Sequence, residues 1–214
     1  MLLKGQIAGG PGVIYRLCGI EQYILATQER PEFAEAVLKV ITDLEMFCLE
    51  LQLETGVCDA MSRGGWGDST SFWSPAIYRN LLYDNVRKQV HLTHQAGLPF
   101  VYHIHSGVMP MIPLLLDLDI DVLGGVDPVQ GNADMKRLKR ECGHRFGFIG
   151  GLNSYITIGR GSADEIRAAV QEGIRTLGPS GLILFPMDAI DETVPWTNLG
   201  IMLDAWREAV AAGA

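Results

Sequence analysis

No pair of cysteines in this chain lies close enough to form a C-x-x-C motif; Cys18, Cys48, Cys58 and Cys142 are scattered through 214 residues. That spacing offers neither a disulfide framework nor a thiolate metal site, and it points to a reducing cytoplasm. Long apolar runs are missing too. The stretch Val108 to Leu116 is short and is broken by Pro110 and Pro113, so nothing here is long enough to span a bilayer. Met1-Leu2-Leu3-Lys4-Gly5 has the features of neither a signal peptide nor a transit peptide. Positive charge is in deficit, with 17 Lys and Arg against 25 Asp and Glu, a net charge of −8 and a pI near 5.1. Nucleic acid and anionic membrane are therefore excluded as expected partners. What is present, 48% hydrophobic and 20% charged residues, is the composition of a soluble globular protein long enough for one full core.

Read in order, the chain alternates strand and helix. Leu2 to Ala8 predicts a strand that empties into the loop Gly9-Gly10-Pro11-Gly12, where backbone could approach a ligand or simply turn tightly. A short helix follows over 20–28, and Pro31 opens a long one whose broad apolar face includes Leu38, Val40, Ile41, Leu44, Phe47 and Leu51 until Gly56. Val57 to Ser62 is the second predicted strand, followed by a glycine-rich functional loop over 63–70 that contains Asp68. Ser74 and Pro75 are the expected N-cap and first residue of a helix to Ala96, with His91 and His94 read as surface or dipole-complementing residues. Strands are expected over 98–103, 121–125, 145–150 and 181–185, with helices over 109–118, 133–142, after the capping box Ser162-Ala163-Asp164-Glu165, and from Pro195.

The third strand carries the most suggestive residues. Phe100-Val101-Tyr102-His103-Ile104-His105-Ser106-Gly107 is an apolar, aromatic strand ending in two histidines spaced i, i+2. Alternation along a strand points both imidazoles the same way, where they could hold a metal or handle protons; a packed histidine and a loop-capping one fit as well. Tyr102 is expected to pack inside.

Six β-then-α units without hairpin signals predict an α/β fold with a parallel sheet, either doubly wound or a (β/α) barrel. Asp68, His103, His105, Asp127, Asn153 and Asp188 all follow predicted strands, and closure into a barrel would gather them at one mouth. The six units fall short of the usual eight of a TIM barrel.

Gly67-Asp68 followed by Phe72-Trp73-Ser74-Pro75 resembles a segment of the uroporphyrinogen decarboxylase (URO-D) superfamily. So do His103-Ile104-His105, Asp121-Val122-Leu123, Lys136-Arg137-Leu138-Lys139, Gly150-Gly151-Leu152-Asn153 and Val194-Pro195-Trp196-Thr197-Asn198. The resemblance implies a TIM barrel and homodimers. It also implies that residues 1–214 form a single, N-terminally incomplete barrel domain with about six of its eight βα units.

Two branches are implied. Decarboxylases use no metal and hold the substrate's acidic groups with arginines and an aspartate near the amino terminus. They also carry a glycine-flanked histidine near the last strand, where this chain has Met187-Asp188-Ala189. The second branch comprises cobalamin-dependent methyltransferases. Its coenzyme M enzymes hold zinc through His-x-Cys on the central strand and a later Cys, and His103, His105 and Asp188 occupy those positions. A His₂-carboxylate set suits zinc and equally resembles an iron site. The expected function is metal-dependent methyl transfer between a small-molecule substrate and a corrinoid on a partner protein. Asp68 and Asp127 are the candidate catalytic residues, and Gly9, Gly10 and Asn153 the candidate substrate contacts. The alternatives are a metal-free decarboxylase, for which only Arg16, Arg63 and Arg160 stand near strand ends, and a non-catalytic barrel acting by association.

Overall fold

The computed structural model describes residues 2–7, 10–187 and 189–213; Gly9 and Asp188 lie outside the described residues. The packing divides into two units: Met1–Ile104 with Pro113–Asp121, and His105–Ile112 with Val122–Ala214.

The first unit contains β1 (Lys4–Ile7), β2 (Ala60–Gly64) and β3 (Phe100–His103), paired in parallel so that Ile7, Arg63 and Tyr102 align across the three strands. Its helices are α1 (Gly10–Cys18), α2 (Ile20–Glu29), α3 (Pro31–Glu54), α4 (Pro75–Tyr78) and α5 (Asp84–Gln95), with α6 (Ile112–Leu118) joining from Pro113 onward. Two expectations are corrected here. Gly10-Pro11-Gly12 is the first turn of α1, not a loop, because Pro11 suits the first turn of a helix and the Gly10 N–H is taken by the Glu45 carboxylate. The long helix does not bury one broad apolar face either: Ala34, Leu38, Ile41 and Leu49 are buried, while Val40, Leu44, Phe47 and Leu51 are exposed. Ser74 caps α4 as expected, its Oγ accepting from Ile77 N at 3.2 Å, but a π-helical turn over 79–83 interrupts the helix before α5.

The second unit contains β4 (Val122–Val126), β5 (Gly147–Asn153) and β6 (Leu182–Met187), again parallel, with a bulge in β4 between Gly124 and Val126. Its helices are α7 (Met135–Cys142), α8 (Ala163–Leu177) and α9 (Trp196–Ala211). The predicted capping box is present, and Ile166, Val170, Ile174 and Leu177 form the buried stripe of α8. Strand boundaries move by up to three residues from the predicted ones, as hydrogen bonding and hydrophobicity need not end together. Among the described residues, no helix is long and apolar enough to cross a membrane.

Candidate active site

In the first unit the carboxyl ends of three strands lie side by side, since Ile7 pairs with Arg63 and Gly64 with His103. Gly65, the next residue after β2, donates its N–H to the His103 carbonyl at 2.7 Å. A side chain could not replace its hydrogen, because a Cβ there would sit 2.6 Å from that carbonyl oxygen and 2.7 Å from Tyr102 Cε2. The start of β3 is fixed as well: Asp121 Oδ2 accepts from Phe100 N at 2.7 Å and contacts His94 Nε2 at 2.8 Å. His94 is thus a strand clamp, not merely a surface residue.

Beyond Gly65 a 3₁₀ turn over Trp66–Asp68 delivers Asp68 into the interior, fully buried. Its Oδ2 accepts from Arg63 Nε at 2.9 Å and from the Tyr102 hydroxyl at 2.6 Å, while Tyr102 and Tyr78 share a hydroxyl contact of 2.9 Å. Arg63, also fully buried, donates from Nη1 to Glu45 Oε2 at 2.9 Å and to Gln89 Oε1 at 3.2 Å. Asn85 and Gln89 complete the cage by donating to the same Glu45 oxygen, at 2.9 and 3.0 Å. Gly10 closes it, its N–H on Glu45 and its α-carbon so placed that a Cβ would lie 2.5 Å from Arg63 Nη2.

Burial alone would lower the Arg63 pKa, but the Asp68 and Glu45 carboxylates outweigh it and hold the guanidinium charged. Burial first, then the Asp68 charge, raises the Tyr102 phenol well above its ordinary value, so it remains a donor. Asp68 and Gly10 therefore serve this network, which faces the helices that supply Glu45 and Gln89. His103 follows Tyr102 in the strand and stands on the opposite face. The packed Tyr102 matches expectation. Arg63 does not: its charge is consumed internally and offers nothing to an anionic substrate. Arg160 lies over the Tyr155 ring, 4.1 Å from its centroid.

In the second unit Asp127 follows β4 and Asn153 ends β5, and the two meet: Asn153 Nδ2 donates to Asp127 Oδ2 at 2.8 Å and to Gln130 Oε1 at 2.9 Å. Asp127 Oδ1 accepts from Val129 N and Gln130 N at 2.8 and 3.2 Å, an Asx turn that folds the following loop back. Asn153 Oδ1 caps a π-helical turn over 154–158 by accepting from Ile156 N at 2.7 Å and Thr157 N at 3.4 Å. Such turns concentrate at functional sites. His105 borders the same loop. A Cβ at Gly131 would stand 2.9 Å from the Asp127 carbonyl oxygen and 3.0 Å from that of His105. The structure thus brings His105, Asp127 and Asn153 into one neighbourhood. Asn153→Ala removes the cap and strips Asp127 Oδ2 of a donor, so a loss of about 1–2 kcal/mol is expected in thermal unfolding.

Glu45, Gln89, Gln130 and Gly131 were not singled out by the sequence. A signal existed for the first: Glu45 falls on the i, i+3/i+4 series Ala34, Leu38, Ile41, Leu49, and a carboxylate at a core position needs a buried partner. Among the described residues no three His, Cys, Asp or Glu side chains gather as a metal cluster. The donors His103 and His105 fit a divalent metal chemically, and the third member of the expected set, Asp188, is the residue that follows β6.

No curated protein sequence matches the chain. Among solved structures, a methyltransferase from Methanosarcina mazei superposes with a TM-score of 0.78 at 21% identity, over 97% of this chain and 59% of that one. A dihydropteroate synthase from Anaplasma phagocytophilum, bound to 6-hydroxymethylpterin monophosphate, gives 0.60 at 10% identity over 99% and 76%. Both are of the (β/α)-barrel type, which establishes the fold class of this chain. The chain spans 59% of the length of the first of these proteins. The sequence profile of the uroporphyrinogen decarboxylase (URO-D) family matches residues 3–209. With the strand-end motifs, the parallel βα units and a profile match over nearly its whole length in agreement, the chain belongs to the uroporphyrinogen decarboxylase family.

Proposed function

We propose that this chain is a metal-dependent methyltransferase of the family, moving a methyl group between a small substrate and a corrinoid carried by a separate protein in the cytoplasm. What supports this reading is the superposition on the Methanosarcina mazei methyltransferase at a TM-score of 0.78, together with the donor types carried at the strand ends. In the sequence, His103, His105 and Asp188 end or follow strands, and two imidazoles with a carboxylate are the donor types of a catalytic zinc site with an open position. Arg63, at the end of the second strand, is committed to Glu45 and Asp68 and takes no part in this chemistry.

His103, His105 and Asp188 would hold the metal. When bound, it would act as a Lewis acid that lowers the pKa of a coordinated thiol or alcohol. The chain's own residues set the stage for that chemistry. Gly65 fixes the backbone of His103, and Asn153 with Gln130 orients the loop through Asp127, which borders His105. Asp127 is the candidate for orienting substrate; Asp68, enclosed by Arg63 and Tyr102, acts as a positioning residue.

The test is metal content per chain after purification without chelator or affinity metal. Close to one equivalent of zinc or iron is expected, lost in His103→Ala and in His105→Ala while both variants remain folded by circular dichroism. Stoichiometric metal retained in His103→Ala, or none in the parent protein, would overturn the assignment.

A further inference from the structure

The longest helix carries a second apolar surface that its own unit does not use. Along α3, Phe33, Val37, Val40, Leu44, Phe47 and Leu51 follow one another at spacings of four, three, four, three and four. Five of the six are more than half exposed, and Val37 is half-buried. Single exposed apolar residues are ordinary, but a contiguous line is not. This line runs beside the buried series Ala34, Leu38, Ile41 and Leu49, so the core does not account for it.

The spacing identifies the kind of occupant. An alternation of three and four is the a/d repeat of a helix-to-helix seam, sustained here over the 19 residues from Phe33 to Leu51, or about 27 Å of helix. A docked strand would be met by a period of two, and a small ligand by a concavity.

Charge narrows the choice further. On the solvent side, the seam is flanked by Ala36, Asp43 and Glu50, all exposed. The lone cation of α3, Lys39, already pairs with Asp43 at 2.6 Å. Two copies of this helix packed on each other would bring acidic flanks together, which disfavours self-pairing. We propose that α3 docks an amphipathic helix of another polypeptide, apolar at its a and d positions and lined with Lys or Arg along the flank. This inference is independent of the metal reading.

The probe is a fluorescently labelled three-heptad peptide with leucine at a and d and lysine at e and g, beside a sibling with glutamate at e and g, each titrated into the full chain. Saturable one-to-one binding of the lysine peptide is expected, with the glutamate peptide at least tenfold weaker. Leu44→Ser with Phe47→Ser should weaken the lysine peptide at least tenfold with the unfolding midpoint unchanged, since both side chains are exposed. Asp43→Lys with Glu50→Lys, which spares the seam, should reverse the preference between the two peptides. The proposal is overturned by absence of saturable binding, by equal binding to the serine variant, or by no reversal in the lysine variant. Self-association of the chain that the serine variant abolishes would also overturn it, assigning the seam to a second copy.

Discussion

Arg63→Met is expected to cost about 3–5 kcal/mol of folding stability, because it leaves Glu45 and Asp68 as uncompensated charges in the interior. Both carboxylates are almost completely buried, and each receives its shortest cationic contact from this one guanidinium, at 2.9 Å. Amide and phenol donors from Asn85, Gln89, Gly10 and Tyr102 soften the loss without supplying a positive charge. Urea unfolding at neutral pH reads the effect as a fall in the midpoint at unchanged slope. Arg63→Lys keeps the charge but cannot reach Glu45, Gln89 and Asp68 together, so it should fall between the parent and Arg63→Met. A loss below about 1 kcal/mol in Arg63→Met, the range of an exposed ion pair, would show that the cage is not the keystone of the first unit.

Gly150→Ala should be comparably damaging for a different reason. Gly150 has φ near +136, and a Cβ there would meet three backbone atoms of Val126, the nearest being its carbonyl oxygen at 2.3 Å. A side chain in the way could rotate; a strand cannot. Relief requires β4 to move at its bulge, and Asp127 is attached directly to the part that must move. A loss above about 3 kcal/mol is expected, in the range reserved for backbone strain combined with overpacking. Its neighbour is the control. Gly151 also has positive φ, +88, yet its Cβ would meet its neighbours at ordinary contact distances, side-chain carbons of Leu184 and Leu177 at 3.4 and 3.6 Å and the Gly173 Cα at 3.8 Å. Gly151→Ala should cost only the conformational strain, about 1–3 kcal/mol. Equal losses for the two substitutions would remove the special role assigned to the bulge.

The fold was legible because its signals are local. The Ser162 capping box and the Ser74-Pro75 helix start each reside in a few consecutive residues, the buried stripe of α8 lies within one helix, and each is present where the sequence placed it. The long helix shows the limit. Its apolar residues announce burial without saying against what, so Leu38 and Leu44 read alike although one meets the core and the other does not. The site was partly legible for a related reason. Asp127 and Asn153 could be placed at strand ends from chain order, but their mutual hydrogen bond depends on the register of β4 against β5. Arg63 was misread because its partners, Glu45 and Gln89, lie 18 and 26 residues away on helices. Sequence distance conceals such a pairing, and only the unusual polarity of two core positions hints at it.

The strand that ends in His103 is pinned at both extremities, by Asp121 on Phe100 N and by Gly65 on the His103 carbonyl. A segment so held behaves as framework and not as a lid. Its amides should exchange slowly with deuterium, and its backbone should change little between the metal-free and metal-loaded protein. On the proposed function, the entropic cost of arranging the first imidazole would then fall on folding, and the incoming ion would meet a ligand already immobilised.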